Sequence, residues 1–240
     1  MHRVLPDPSV SVAFCCRRGS DGTAVDPRVL LIGEKTRPQV FSYDRHREIA
    51  AVRIKLEWVE QVLGIRPAEH QNGSVDLGFV RPQLAEDLLV DLVRTRSAGA
   101  AIEALGAMLK SRRTSEHALR HAVVTHALQV IRTTEGRCPV GRIADRAGFS
   151  VRHLRRLVND SVGVSLKTFA RTRRFVAAVI AADAAEHPQW ARIAADAGFY
   201  DQSHLVRDCQ EICGMTPTEL IRERRAQVIA PDSCTTTSAA

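Results

Sequence analysis

The hydrophobic pattern of the 240-residue chain changes period partway along. Val10, Val12 and Phe14 alternate with small or polar neighbours, Gly19, Asp21 and Gly22 mark a turn, and Val29 to Ile32 is a short apolar run. Such alternation between turn signals predicts strands, with Val40 to Tyr43 a third candidate. Ala50, Val52, Ile54 and Leu56 keep a period of two before Trp58, Val59, Val62 and Leu63 switch to helical spacing, which Gly64 stops. Helical stretches follow at about 84–93 and 100–109, separated by Ser97 and Gly99. Residues 1–111 thus read as a small α+β domain, rich in β structure, with its helices grouped at the end.

Beyond residue 111 every strong pattern is helical. Leu119, Ala122, Val123, Ala127, Val130 and Ile131 recur at three- and four-residue spacing, predicting a helix of roughly five turns that ends near Gly136. An internal repeat follows. Ile143-Ala144, Ala147-Gly148-Phe149, His153-Leu154, Arg156 and Gly163 recur as Ile193-Ala194, Ala197-Gly198-Phe199, His204-Leu205, Arg207 and Gly214. Each copy reads as a short helix, a glycine turn, a capping residue (Ser150 or Asp201) and a second helix, the signature of a helix-turn-helix.

Between the copies, Phe169, Phe175, Val176, Val179 and Ile180 form a stripe on a helix over about 166–185, capped by Ser165. Thr216-Pro217-Thr218-Glu219 is a capping box with proline at the first helical position, so a last helix starts there. Residues 112–228 therefore read as an all-α domain with two helix-turn-helix units joined by a connecting helix. Residues 229–240, mostly Thr, Ser and Ala after Pro231, lack the apolar side chains to pack and are expected to form a disordered tail.

Charge sharpens this division. The net charge is +7, and only four of the 34 basic residues are lysines. Residues 112–225 hold 19 basic and 12 acidic side chains, whereas residues 1–111 hold 15 and 14. The whole excess lies in the repeated half, which makes nucleic acid the leading partner there. No apolar run approaches the length of a membrane span, and Pro6, Asp7 and Pro8 interrupt any signal-peptide core, so no membrane is expected as a partner and a cytoplasmic location is. The six cysteines lack zinc-ribbon spacing, and reduced thiols are expected.

Gly198-Phe199-Tyr200-Asp201-Gln202-Ser203-His204-Leu205, followed by Gly214-Met215-Thr216-Pro217, resembles the signature of the AraC/XylS family of bacterial transcription regulators. The likeness spans roughly residues 115–225 and includes both repeat copies. It implies a sequence-specific activator or repressor with two recognition helices in successive major grooves of double-stranded DNA. RNA polymerase is a further partner if the protein activates. The resemblance also implies an N-terminal domain, often a small β barrel and here at most a compact or partial one, that senses a small molecule or mediates homodimerisation. The sequence departs from the family at Val158, Cys209 and Cys213, where an aromatic residue is usual. Packing is the favoured role of the two cysteines.

In the first copy Arg152, Arg155 and Arg156 share one helix face, and arginine reads guanine O6 and N7 bidentately. The resemblance assigns Arg152 and Arg155, at positions the family uses for base contacts, to bases and Arg156 to base or phosphate. In the second copy Gln202, Ser203, Val206 and Arg207 occupy the corresponding face, with Gln202 suited to adenine and Val206 to a thymine methyl. The alternative for Gln202 and Ser203 is helix capping. Arg171, Arg173 and Arg174 serve either phosphates or ion pairs within the domain.

No cofactor, metal site or enzymatic activity is expected. His2, His46 and His70 are isolated, and His117 and His121, four apart on a helix, have no evident third ligand. Cys15 and Cys16 on a strand should point to opposite faces, one buried and one exposed. An exposed thiol there, its pKa lowered by Arg17 and Arg18, would make the protein a redox or electrophile sensor. A DNA-repair enzyme with a similar DNA-binding half is the more distant alternative, and it would need a zinc-held cysteine cluster that the sequence does not supply.

Overall fold

In the computed structural model of the chain, residues 2–41, 44, 46–113, 119–228 and 235–238 are described. The chain divides into two compact units, Met1–Glu116 with Asp232–Ala240, and His117–Pro231.

The first unit is α+β. Strands β1 (His2–Val4), β2 (Ser9–Arg18), β3 (Ala24–Ile32), β4 (Gln39–Phe41) and β5 (Glu48–Lys55) precede helix α1 (Leu56–Leu63). Strand β6 (Ser74–Asp76) and helices α2 (Leu77–Val80), α3 (Pro82–Leu92) and α4 (Ala98–Ser111) follow, and β7 (Thr235–Ser238) comes from the far end of the chain. The main sheet is open, in the order β6-β3-β2-β5-β7, and β1 pairs with β4 separately. Central β2 pairs antiparallel with both β3 and β5, setting Val12 beside Leu31 and Val52. Because the strand period is two, this register stacks Val10, Val12, Phe14, Val29, Leu31, Val52 and Ile54 into one buried layer. Ala13, Cys15 and Ala51 form a smaller cluster on the other face, with Leu30, Ile32 and Ile49 packed against it. Helices α1 and α4 pack on β5.

One expectation changes here. β7 runs parallel to β5, pairing Thr235 with Ala50 and Ser238 with Arg53, where composition had suggested a disordered tail. Consecutive β-branched threonines suit an unpaired sheet edge even without an apolar face; residues 229–234 and 239–240 lie outside the described residues. Tyr43, the end of the third candidate strand, also lies outside them.

Glu34, just past β3, is only 1 % exposed. Gln71 Nε2 donates to its Oε1 at 2.5 Å, while Oε2 is buried with no hydrogen-bond partner. Burial pushes the carboxyl up to about 7, against the smaller opposing effect of the Gln71 bond.

The second unit is all α: α5 (Leu119–Thr133), α6 (Val140–Arg146), α7 (Val151–Val162), α8 (Leu166–Ala184), α9 (Trp190–Asp196), α10 (Gln202–Cys213) and α11 (Pro217–Val228). Its sequence-predicted elements are all present, but two buried faces are rotated. On α5 the core side is Val124, Ala127, Leu128 and Ile131, and Leu119 is exposed. On α8 Phe169, Phe175 and Val179 are buried together with Ala170, Ala178 and Ala182, while Ile180 is 62 % exposed. Alanines fill that face because neighbouring helices approach closely, and a stripe drawn through large side chains alone misplaces it.

Candidate nucleic-acid interface

The two halves of the repeat are built by the same local bonds. In the first copy Gly148 takes φ +72°, its N–H donates to Asp145 O, and Phe149 N–H reaches back to Ala144 O at 3.0 Å. In the second, Gly198 takes φ +82°, bonds Ala195 O, and Phe199 N–H reaches Ala194 O at 2.9 Å. This left-handed glycine turn satisfies the last carbonyls of the first helix and aims the chain into the second. Ser150 then caps α7 by accepting from His153 N–H at 3.2 Å, and Asp201 caps α10 by accepting from His204 N–H at 2.7 Å.

The copies differ by one residue at this point. Tyr200 is inserted between Phe199 and the cap, and it is 94 % exposed at the entrance to α10. Its signal was the change in repeat spacing from 50 to 51, which marks an extra residue at the turn.

Helix α7 buries Leu154, Val158 and Val162 and turns Arg152, Arg155 and Arg156 to solvent on the opposite side. Among the described residues no carboxylate lies within ion-pair distance of any of the three. On α10, Leu205, Cys209, Ile212 and Cys213 are buried, Gln202, Ser203 and Arg207 are exposed, and Val206 is half-buried. Because Asp201 supplies the cap, the side chains of Gln202 and Ser203 are not engaged in capping. Each predicted set of side chains therefore shares an outward face.

The connecting-helix arginines stand apart from these. Arg171 Nε lies 3.0 Å from Asp208 Oδ1, and its Nη2 lies 2.5 Å from Glu211 Oε2, both on α10. Arg174 donates to Gly136 O at 3.4 Å and lies over the Phe199 ring at 5.7 Å. These two tie the domain together. Arg173 is half-buried.

The remaining sequence candidates do not converge on a second site. His117 lies outside the described residues, and among those described there is no group of three or more His, Cys, Asp or Glu able to hold a metal ion. Cys15 and Cys16 do point to opposite faces, but both are buried, at 5 % and 0 % exposure, because both faces of β2 are covered. Burial pushes the Cys16 thiol above its usual pKa, with Arg18 opposing. The expected exposed, activated thiol is therefore not formed at this pair. Cys209 and Cys213 are buried in the core of the second unit, as packing residues would be. No helix is long and apolar enough to cross a membrane among the described residues.

Two glycine-turn units, each presenting an exposed helix face, with the second anchored to one connecting helix, define a double helix-turn-helix domain. Residues 143–224 match the family model described as "Helix-turn-helix domain". Nothing matches the chain among curated proteins. Among solved structures, a transcriptional regulator with an AraC-type DNA-binding domain from Chromobacterium violaceum is 23 % identical, covering 44 % of this chain and 94 % of that one with a TM-score of 0.40. The DNA-binding domain of AdpA in complex with a target DNA is 20 % identical, covering 48 % of this chain and 100 % of that one, TM-score 0.39. ToxT from Vibrio cholerae is similar over a longer stretch, 92 % of this chain and 94 % of its own, at 10 % identity and a TM-score of 0.46.

Proposed function

We propose that the protein is a sequence-specific transcription regulator that places α7 and α10 in successive major grooves of double-stranded DNA. The observation that carries this reading is the set of three exposed arginines on α7 without carboxylate partners among the described residues, in a domain where Arg171 and Arg174 are committed to internal contacts. Arg152 and Arg155 read guanines and Arg156 reaches a base or a phosphate. Gln202, Ser203, Val206 and Arg207 make the weaker second set of contacts. Tyr200, beside them, suits the sugar-phosphate backbone, which positions without specifying sequence.

The N-terminal unit senses a small molecule or mediates homodimerisation. The exposed Phe79 ring on α2 and the half-exposed Val90 on α3 favour a protein contact on that unit, and sedimentation of Phe79→Asp against the parent chain tests it by loss of the dimer. If the protein is an activator, RNA polymerase is a further partner. Its place of action would be the cytoplasm. Selection of genomic DNA fragments by the purified chain tests the main reading: recovery of one recurrent motif supports it, and recovery of fragments without any shared motif refutes it.

A further inference from the structure

The two copies of the helix-turn-helix meet at the loop that leads into the first of them. Residues 134–138 join α5 to α6, with Glu135 and Gly136 both in the left-handed region at φ +51° and +78°. Gly136 N–H closes the turn on Ile131 O at 2.7 Å, and Cys138 N–H donates to Thr134 Oγ1 at 3.3 Å. Connecting helix α8 holds the loop from one side, through the Arg174 bond to Gly136 O and the close approach of Gly136 to the Ala170 carbonyl. The loop is therefore fixed in shape before α6 begins.

Arg137, exposed on this loop, reaches across to the second copy. Its Nε donates to Thr134 O at 3.1 Å within the loop, and its Nη1 donates to Asp196 O at 3.3 Å at the end of α9. The turn itself takes the preceding carbonyls: Ala197 N–H bonds Ile193 O, Phe199 N–H bonds Ala194 O and Gly198 N–H bonds Ala195 O. Arg137 thus satisfies the next carbonyl in line and sets its charge at the negative end of the α9 dipole. Its stem lies against the turn, where a Cβ on Gly198 would stand 2.7 Å from Arg137 Cγ. The first copy has no such brace, since a Cβ on Gly148 would meet nothing within 4 Å. Along the chain the two copies are joined only by α8, and Arg137 adds a second tie that bypasses it.

We propose that Arg137 is a positioning residue for DNA reading: by tying the segment that enters α6 to the turn that launches α10, it sets the half-site spacing the protein accepts. The inference rests on the reading of α7 and α10 as helices in successive grooves. Two helix pairs joined at a single connection can pivot about it, and a second tie away from that connection removes the freedom. One inserted base pair turns the second half-site by about 34–36° and moves it by about 3.4 Å, a displacement that a braced pair of recognition helices does not follow.

The experiment uses the selected DNA site and two derivatives, with one base pair inserted or removed between the half-sites. Competition binding is measured for the 240-residue chain, for Arg137→Ala and for Arg137→Lys, with the melting temperature of each. Lysine keeps the charge and the stem against Gly198, so it folds like the parent, but it lacks the planar fork that holds two carbonyls at once. The parent should lose at least about tenfold in affinity on both derivatives, the worth of one good set of base contacts. Both variants should bind the selected site more weakly and distinguish the three spacings by less than about threefold. A spacing profile in Arg137→Lys as steep as the parent's overturns the inference. So does a loss in Arg137→Ala that is equal at every spacing and recovered in Arg137→Lys, which is the behaviour of a phosphate contact. A parent chain indifferent to spacing removes the two-groove reading as well, whereas a spacing-sensitive parent with unchanged variants removes the role of Arg137 alone.

Discussion

Arg171 on the connecting helix and Asp208 on the second recognition helix are joined at 3.0 Å, with Asp208 nearly fully buried and its second oxygen without a hydrogen-bond partner. This pair sets how α10 lies on α8. Losing one partner of a buried pair leaves the other uncompensated, but Arg171 is partly exposed and keeps Glu211. Asp208→Ala should therefore cost about 1–3 kcal/mol in urea unfolding of the chain. Asp208→Leu combined with Arg171→Met should recover much of that loss, because an apolar pair removes the desolvation of both charges. A double variant as unstable as the single one would assign the loss to packing rather than to the ion pair.

Gly136 closes the turn after α5 with φ +78°, and a Cβ there would stand 2.1 Å from the carbonyl oxygen of Ala170 on α8. Backbone on both sides leaves no flexible atom to give way. Gly136→Ala should destabilise the second unit by more than about 1 kcal/mol, the cost of the positive φ alone, and by still more from the clash. Thermal unfolding read by helix signal checks it.

Glu34 gives the first unit a pH dependence of known sign. Its carboxyl titrates at about 7 in the folded chain against an ordinary 4.5, so folding favours the protonated form. The associated stabilisation is complete below the ordinary carboxylate value and is lost as pH rises through about 7. Across pH 5 to 8 this linkage corresponds to roughly 3 kcal/mol at most. Glu34→Gln should flatten that slope, and urea midpoints measured at several pH values test it; an unchanged slope would place the dependence elsewhere.

The fold was legible wherever a local rule fixed an element. Glycine at the turns, Ser150, Asp201 and Ser165 at helix starts, and the Thr216-Glu219 box, whose Thr216 N–H donates to Glu219 Oε2 at 2.8 Å, are determined within four residues of chain. The outward faces of α7 and α10 followed from periodicity for the same reason. What depended on tertiary partners was misread or invisible. The burial of both Cys15 and Cys16 needs cover on two sides of β2, the exposure of Ile180 depends on which face of α8 meets its neighbours, and the pairing of β7 with β5 joins chain segments far apart in sequence.

Among the α7 arginines, Arg152→Ala should cost about 1–3 kcal/mol on the selected DNA site and relax one base preference. Affinity for random DNA should fall less, because only a phosphate contact is shared by all sequences. Equal loss on both DNAs, in competition binding at fixed salt, would make Arg152 a phosphate contact.

If one chain reads two successive grooves with α7 and α10, hydroxyl-radical footprinting of the 240-residue chain on its selected site shows two protected windows on one face of the duplex, about 10–10.5 base pairs apart, with the window under α7 weakened selectively by Arg152→Ala. Protection confined to a single groove, or two windows that weaken together, would contradict it.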